Sequence, residues 1–179
     1  MKTRDMVLVG VFAAIICIFS PFSVPVGPIP ISLASFAVYI AAAVLGAKRG
    51  TMAVCIYVLI GAFGLPVFSG FTGGFARVAG VTGGYIIGYI FCAFAAGIII
   101  DKFKSEKFVY PLALIIGTIV LYAFGTAWFM ANTGNGLMES LMMCVIPFLI
   151  GDAVKIVAAS AIAYKLKSYN FAKAIEDFI

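Results

Sequence analysis

The stretch CVIPFLIGDAVKIVAASAIAY, residues 144–164, is apolar and long enough to cross a bilayer, yet it carries Asp152 and Lys155 one helical turn apart. A charged side chain at mid-membrane costs about 2.5–3.5 kcal/mol even on insertion-based scales, so such residues face a protein interior or a wet cavity. The i,i+3 spacing allows the two to touch. One reading is an ion pair that fixes helix packing. The other is a polar binding site. The second is preferred because a buried pair gains little over an apolar replacement, whereas intramembrane charges gather at substrate and ion paths. A carboxylate and an ammonium on one helix face suit a ligand that alternates N–H and C=O groups, such as a cyclic urea.

The rest of the chain agrees with a membrane reading: 64% of its residues are hydrophobic, 11% are charged and the mean hydropathy is +1.19. A soluble domain could not cover that surface. At about 20 residues per span there is room for about six spans joined by short connections. The chain is therefore read as one membrane domain, residues 1–179. Apolar runs between punctuating residues place spans at 6–22, 31–47, 51–65, 83–100, 108–130 and 145–166. They are too long for barrel strands and lack polar–apolar alternation, so the expected fold is all-α, a bundle of six transmembrane helices. The first run continues into a Pro-rich turn with no small-residue cleavage site, and is read as a helix that stays.

Basic residues set the expected topology. Lys2 and Arg4 precede the first span, Lys48 and Arg49 join the second and third, Lys102, Lys104 and Lys107 join the fourth and fifth, and Lys165, Lys167 and Lys173 follow the sixth. By the positive-inside rule that side is the cytoplasm, which holds both termini, and the loops 23–30, 66–82 and 131–143 face out. The net charge of +5 follows from this orientation. It does not point to nucleic acid, because no aromatic-interleaved basic patch exists.

Arg77 and Lys155 break the rule. Arg77 is either a solvated loop charge or an anion contact, and the segment around it is dense in glycine (Gly70, Gly73, Gly74, Gly80, Gly83, Gly84, Gly88). Such density permits tight turns and N–H groups aimed at a ligand, and it also fits a merely flexible loop. The prolines between Pro21 and Pro30 make a semi-rigid connector, Pro66 ends the third span, and Pro147 kinks or begins the sixth. Cys17, Cys55, Cys92 and Cys144 are widely spaced and read as small apolar residues. The chain has no histidine, no metal-ligand cluster and no nucleophile with its base, so an enzyme is the weaker class.

Five stretches in order resemble a known family: VGPIPISL (26–33) running into Phe36-Ala37-Val38, LGAKRG (45–50), YVLIGAFGLPVF (57–68), GVTGGYIIGY (80–89) and PFLIGDAVK (147–155). The chain is similar to the BioY family, the biotin-specific substrate-binding (S) components of energy-coupling factor (ECF) transporters. Two departures are visible: the family often has glutamine where Ala34 stands and proline where Val81 stands. The resemblance implies an ECF S-component-like bundle in the prokaryotic plasma membrane that binds biotin from outside. It hands biotin to a transmembrane scaffold and two ATPase subunits. The absence of a phosphate-binding loop in the sequence agrees with ATP hydrolysis by partners. No cofactor is implied beyond biotin as transported ligand.

On that reading Asp152 accepts from the ureido N–H groups, and Lys155 donates to the ureido oxygen or the valerate carboxylate. Arg77 and the amides around Gly73, Gly74 and Gly83 meet the ligand's exposed end. Tyr85 packs on or hydrogen-bonds the ring, Phe36 and Trp128 line its apolar faces, and Asn132 is a further polar candidate. Gly10, Ala13, Ala14 and Cys17, small residues three or four apart on the first helix, form a groove either for the scaffold or for packing within the bundle. Open alternatives are an S component for another vitamin, a self-sufficient small transporter, or a membrane subunit whose charged pair serves assembly or proton relay.

Overall fold

Gly46 decides where the longest helix turns. The computed structural model describes residues 3–25, 28–103 and 108–168. Within them run α1 (Thr3–Phe19), β1 (Ser23–Val24), β2 (Ile31–Ser32), α2 (Ala34–Ala62), α3 (Phe75–Ala79), α4 (Gly83–Lys102), α5 (Val109–Thr133), α6 (Leu137–Cys144) and α7 (Ile146–Ser168). Inside α2, Gly46 has φ +77°, a left-handed conformation that residues with a Cβ rarely adopt. Four residues later, a Cβ on Gly50 would lie 3.1 Å from the Ala41 carbonyl oxygen. Along a straight helix nine residues span about 13.5 Å, so the chain doubles back at Gly46 and α2 is two antiparallel halves, 34–45 and 47–62. The turn is held from α4: Asp101 Oδ2 accepts the Ala47 N–H at 2.9 Å and acts as a helix cap supplied by another element.

The first half of α2 is the centre of the bundle, with Ala37, Val38, Tyr39, Ala41, Ala42 and Ala43 all buried. α4 packs between α2 and α5, α1 lies on α2, and α7 leans on α2, α5 and α6. Close approach is made by small residues: a Cβ on Gly97 would overlap the Ala47 backbone, and one on Gly84 would overlap Trp128. Among the described residues, three unbroken helices are long and apolar enough to cross a membrane, α4, α5 and the 146–166 part of α7, and α2 meets the same measure when its two halves are counted together.

The expected spans at 83–100, 108–130 and 145–166 correspond to α4, α5 and α7, and the first to α1. The spans expected at 31–47 and 51–65 form the single bent α2, which begins only at Ala34 because Ile31 and Ser32 pair with Val24 and Ser23, and which ends at Ala62. Two short helices, α3 and α6, occupy segments expected as loops. Pro147 lies in the first turn of α7, where its missing N–H has no intrahelical acceptor to lose, so it begins the helix without kinking it. Lys2, Lys104, Lys107 and Lys173 of the expected basic side lie outside the described residues.

The loops 20–33 and 66–82 meet at one end of the bundle. The Gly70 N–H donates to the Pro21 carbonyl at 2.9 Å, and the Leu33 N–H to the Phe22 carbonyl at 3.1 Å. Ser20, fully buried at the end of α1, hydrogen-bonds the Tyr57 hydroxyl at 2.6 Å.

Candidate functional site

At this loop end α7 turns its charged pair inward, and Asp152 is only 5% exposed. Its Oδ1 accepts from Lys155 Nζ at 3.0 Å and Ser35 Oγ at 3.2 Å, and its Oδ2 accepts from the Tyr122 hydroxyl at 2.7 Å. Lys155 also donates to the Ser32 carbonyl at 2.8 Å and Ser35 Oγ at 3.0 Å. The pair thus ties α7 to β2, α2 and α5. An ammonium has three hydrogens, and all three are engaged. A carboxylate offers about four acceptor positions, so the unused capacity of the pair is an acceptor on Oδ2. A ligand N–H can join Asp152 directly, whereas a ligand carbonyl reaches Lys155 only by displacing Ser32 or Ser35.

Two adjoining cavities open beside the pair. One is walled by Ser32, Ser35, Tyr122, Phe148, Asp152 and Lys155. The other runs past Tyr57, Phe68 and Thr72 to Arg77 and Thr82. Ile29, Pro30, Tyr85 and Tyr89 border both, so the two form one passage with a cation at either end. The free space between the walls, counting the part open to the exterior, is about 330 Å³ in the first and 440 Å³ in the second. Tyr57, Phe68, Tyr85, Tyr89, Tyr122 and Phe148 give its walls their aromatic part, and Tyr57 meets Phe68 edge to face at 5.6 Å. Ile29 and Pro30, just before β2, line both parts.

Of the residues singled out from sequence, Asp152, Lys155, Arg77 and Tyr85 line this passage. Phe36, Trp128, Asn132, Gly73, Gly74 and Gly83 line neither cavity. Each makes contacts within the fold instead. Trp128 donates its indole N–H to the Gly80 carbonyl at 3.0 Å, and Asn132 Nδ2 donates to the Trp128 carbonyl at 3.0 Å. Phe36 packs on the core. The amides of Gly74 and Gly83, expected to meet a ligand, already donate to Gly61 at 2.7 Å and Gly80 at 2.9 Å. A Cβ on Gly73 would overlap the Leu65 carbonyl and one on Gly83 the Val78 carbonyl, so close backbone packing selects glycine at both. On α1, Ala13 is buried while Gly10 and Ala14 are exposed and Cys17 is half-buried.

The sequence reading did not single out Tyr57, Tyr89, Tyr122, Phe148, Ser32 and Ser35. The serines had a signal: Ser32 and Ser35 are polar residues at the head of an apolar run. The tyrosines had only their hydroxyls, which an apolar helix hides.

The sequence matches the BioY family over residues 1–171. The chain belongs to the BioY family. Among BioY relatives, the "Biotin transporter BioY" of Thermotoga maritima is 40% identical over 166 residues, covering 92% of this chain and 96% of that protein. The "Probable biotin transporter BioY" of Pyrococcus horikoshii is 36% identical over 167 residues, covering 93% and 98%. A solved structure, the crystal structure of "the S-component for biotin from an ECF-type ABC transporter", superposes on this BioY chain with a TM-score of 0.85 at 29% identity, covering 94% of this chain and 95% of that one. With its apolar helices, this BioY chain is a multi-pass protein of the prokaryotic plasma membrane.

Proposed function

We propose that this chain is the biotin-binding S component of an ATP-driven ECF transporter, a carrier and not an enzyme. It is one domain of six spans, α2 supplying two, with both termini in the cytoplasm and the loop end facing out. The observation that carries this reading is the Asp152–Lys155 pair at the head of a passage lined in part by aromatic residues in a BioY chain. The ureido ring enters at Asp152, its N–H groups meeting the unused acceptor on Oδ2. The valerate chain runs between Tyr85 and Tyr89, and its carboxylate meets Arg77. This assignment follows from the donor count at Lys155, whose hydrogens are engaged, and from Arg77 lining the far part of the passage.

The scaffold docks on α1 through Gly10 and Ala14, which are exposed, with Cys17 at the edge. Two ATPase subunits drive the cycle. Ala14→Leu is expected to abolish uptake in cells supplying scaffold and ATPases while leaving biotin affinity within twofold. Ala13→Leu, at a buried position, is expected to lower expression of folded protein as well.

The test is biotin titration of the detergent-purified chain by calorimetry, with thiamine and riboflavin as controls. One-to-one nanomolar binding of biotin alone is expected. A signal from another vitamin only would move the specificity, and silence across the panel in a folded protein would overturn the reading. A second reading has one observation in its favour: the charged pair is satisfied within the chain, as an assembly or relay device requires. It predicts that silence.

A further inference from the structure

Tyr122 has two faces. Its hydroxyl reaches Asp152 in the ligand passage, and its other side lines a separate apolar groove on the flank of the bundle. Ile119, Ala123, Ala127 and Met130 of α5 form one wall of this groove, and Leu137 and Leu141 of α6 the other. About 640 Å³ lies between them, counting the part open to the surroundings. The alanines are exposed, as are Ile119 (60%) and Leu137 (58%).

Groove and ligand passage are separated by one layer of side chains. Tyr122 borders both. Thr126 borders the groove and hydrogen-bonds the hydroxyl of Tyr85, which borders the passage, at 3.1 Å. Tyr85 in turn donates to the Cys144 carbonyl at 3.2 Å. The partition thus turns its polar atoms inward and its hydrocarbon outward.

What fills the outer side follows from where it lies. α5 is long and apolar enough to cross a membrane, and the exposed residues of the groove's α5 wall lie within it, on the side that lipid would cover. No charged residue lines it, and it offers water almost no partners, so water is a poor occupant. A vacant hollow forfeits dispersion contacts along its walls. We propose that an acyl chain of a bilayer lipid seats in this groove and holds Tyr122 against Asp152, so that ligand affinity depends on the lipid. The dependence on affinity rests on the biotin-binding reading above, but seating of the lipid does not.

The experiment compares wild type with a groove-filling variant, Ala123→Leu/Ala127→Leu, whose altered positions are exposed and lie outside the ligand passage. Lipids retained after mild detergent extraction are counted by native mass spectrometry, and biotin affinity is measured before and after exhaustive delipidation. Wild type is expected to keep one lipid that the variant lacks. Its affinity is expected to fall about fivefold on delipidation, the scale of weakening one hydrogen bond, and to recover when dioleoylphosphatidylcholine is added back. The variant, with leucines in place of the chain, is expected to hold its affinity in both conditions. If Ala123→Leu/Ala127→Leu fails to run as a monodisperse species, Ala127→Leu alone is read in the same way. Equal lipid retention by wild type and variant would overturn the proposal, as would a wild-type affinity indifferent to lipid. A dimer that the variant abolishes would instead assign the groove to a second copy of the chain. Failure of biotin binding in every sample, with the lipid difference intact, would sink the biotin reading and leave the lipid site standing.

Discussion

α4 and α7 are both long and apolar enough to cross the membrane, and they sit in the bundle by opposite means. Of the most apolar stretch of α4, 56% is buried, against 28% in α7. α4 is placed by close packing: Gly84, Gly88, Cys92, Ala93, Ala96 and Gly97 are buried along it, and its neighbours come so near that no side chain fits at Gly84 or Gly97. α7 leaves Ile150, Val154 and Val157 exposed and is drawn inward by the polar node that Asp152 and Lys155 make with Ser32, Ser35 and Tyr122. Packing without polar atoms gives a fixed scaffold. A helix fastened through a few hydrogen bonds on charged groups presents the chemistry, because the groups that fasten it are the ones a ligand can address.

The contrast is open to direct attack. Its largest consequence is expected at Gly97→Leu: the new side chain falls on the Ala47 backbone, which cannot yield, so the cost exceeds the usual ~1–3 kcal/mol of overpacking. No monodisperse protein should survive size-exclusion chromatography. A well-folded variant would show that α4 is less tightly seated than its geometry indicates.

Asp152→Asn comes next. It keeps the shape of the node but removes the charge from its acceptor, and biotin affinity by calorimetry should fall at least about tenfold. Unchanged affinity would remove Asp152 from the site. The double change Asp152→Leu/Lys155→Leu sharpens the point: replacing both members of a buried pair by apolar residues is often neutral or stabilising by about 1–4 kcal/mol, but here it also strips the Tyr122 and Ser35 hydroxyls of their acceptor. The melting temperature should fall as biotin binding disappears. Unchanged stability would show that apolar packing, and not the node, holds α7 in place.

The smallest effect is expected at the scaffold's own polar fastening. Asp101→Ala removes the cap at Ala47 and should cost about 1 kcal/mol, read as a modest drop in melting temperature with biotin affinity unchanged.

The same contrast explains what could be read before any coordinates. Span existence follows from composition, because a bilayer demands apolar residues wherever the chain crosses it, and so α4, α5 and α7 lie close to their expected bounds. Which face of a span looks inward is hidden for the same reason: lipid and protein interior are both apolar, so Tyr57, Tyr89 and Tyr122 have the same local context whether they wall a cavity or meet lipid. Charge escapes this ambiguity, and Asp152 and Lys155 stood out accordingly. Glycine misled in the other direction. Gly74 and Gly83 read as amides waiting for a ligand, but the fold engages those amides itself. Trp128 sits near the site in sequence logic and braces the Gly80 loop in space. α6 is short and apolar, with no length signal to separate it from a loop.

The cap on the Gly46 turn comes from a residue 54 positions further along the chain. While the ribosome is still making the segment between them, the two halves of α2 have emerged and can pair, but the Ala47 amide must be satisfied by water. The hairpin therefore acquires its final hydrogen bond only when the end of α4 arrives. The most central element of the bundle is thus among the earliest to be synthesised and is completed only after half the chain is made.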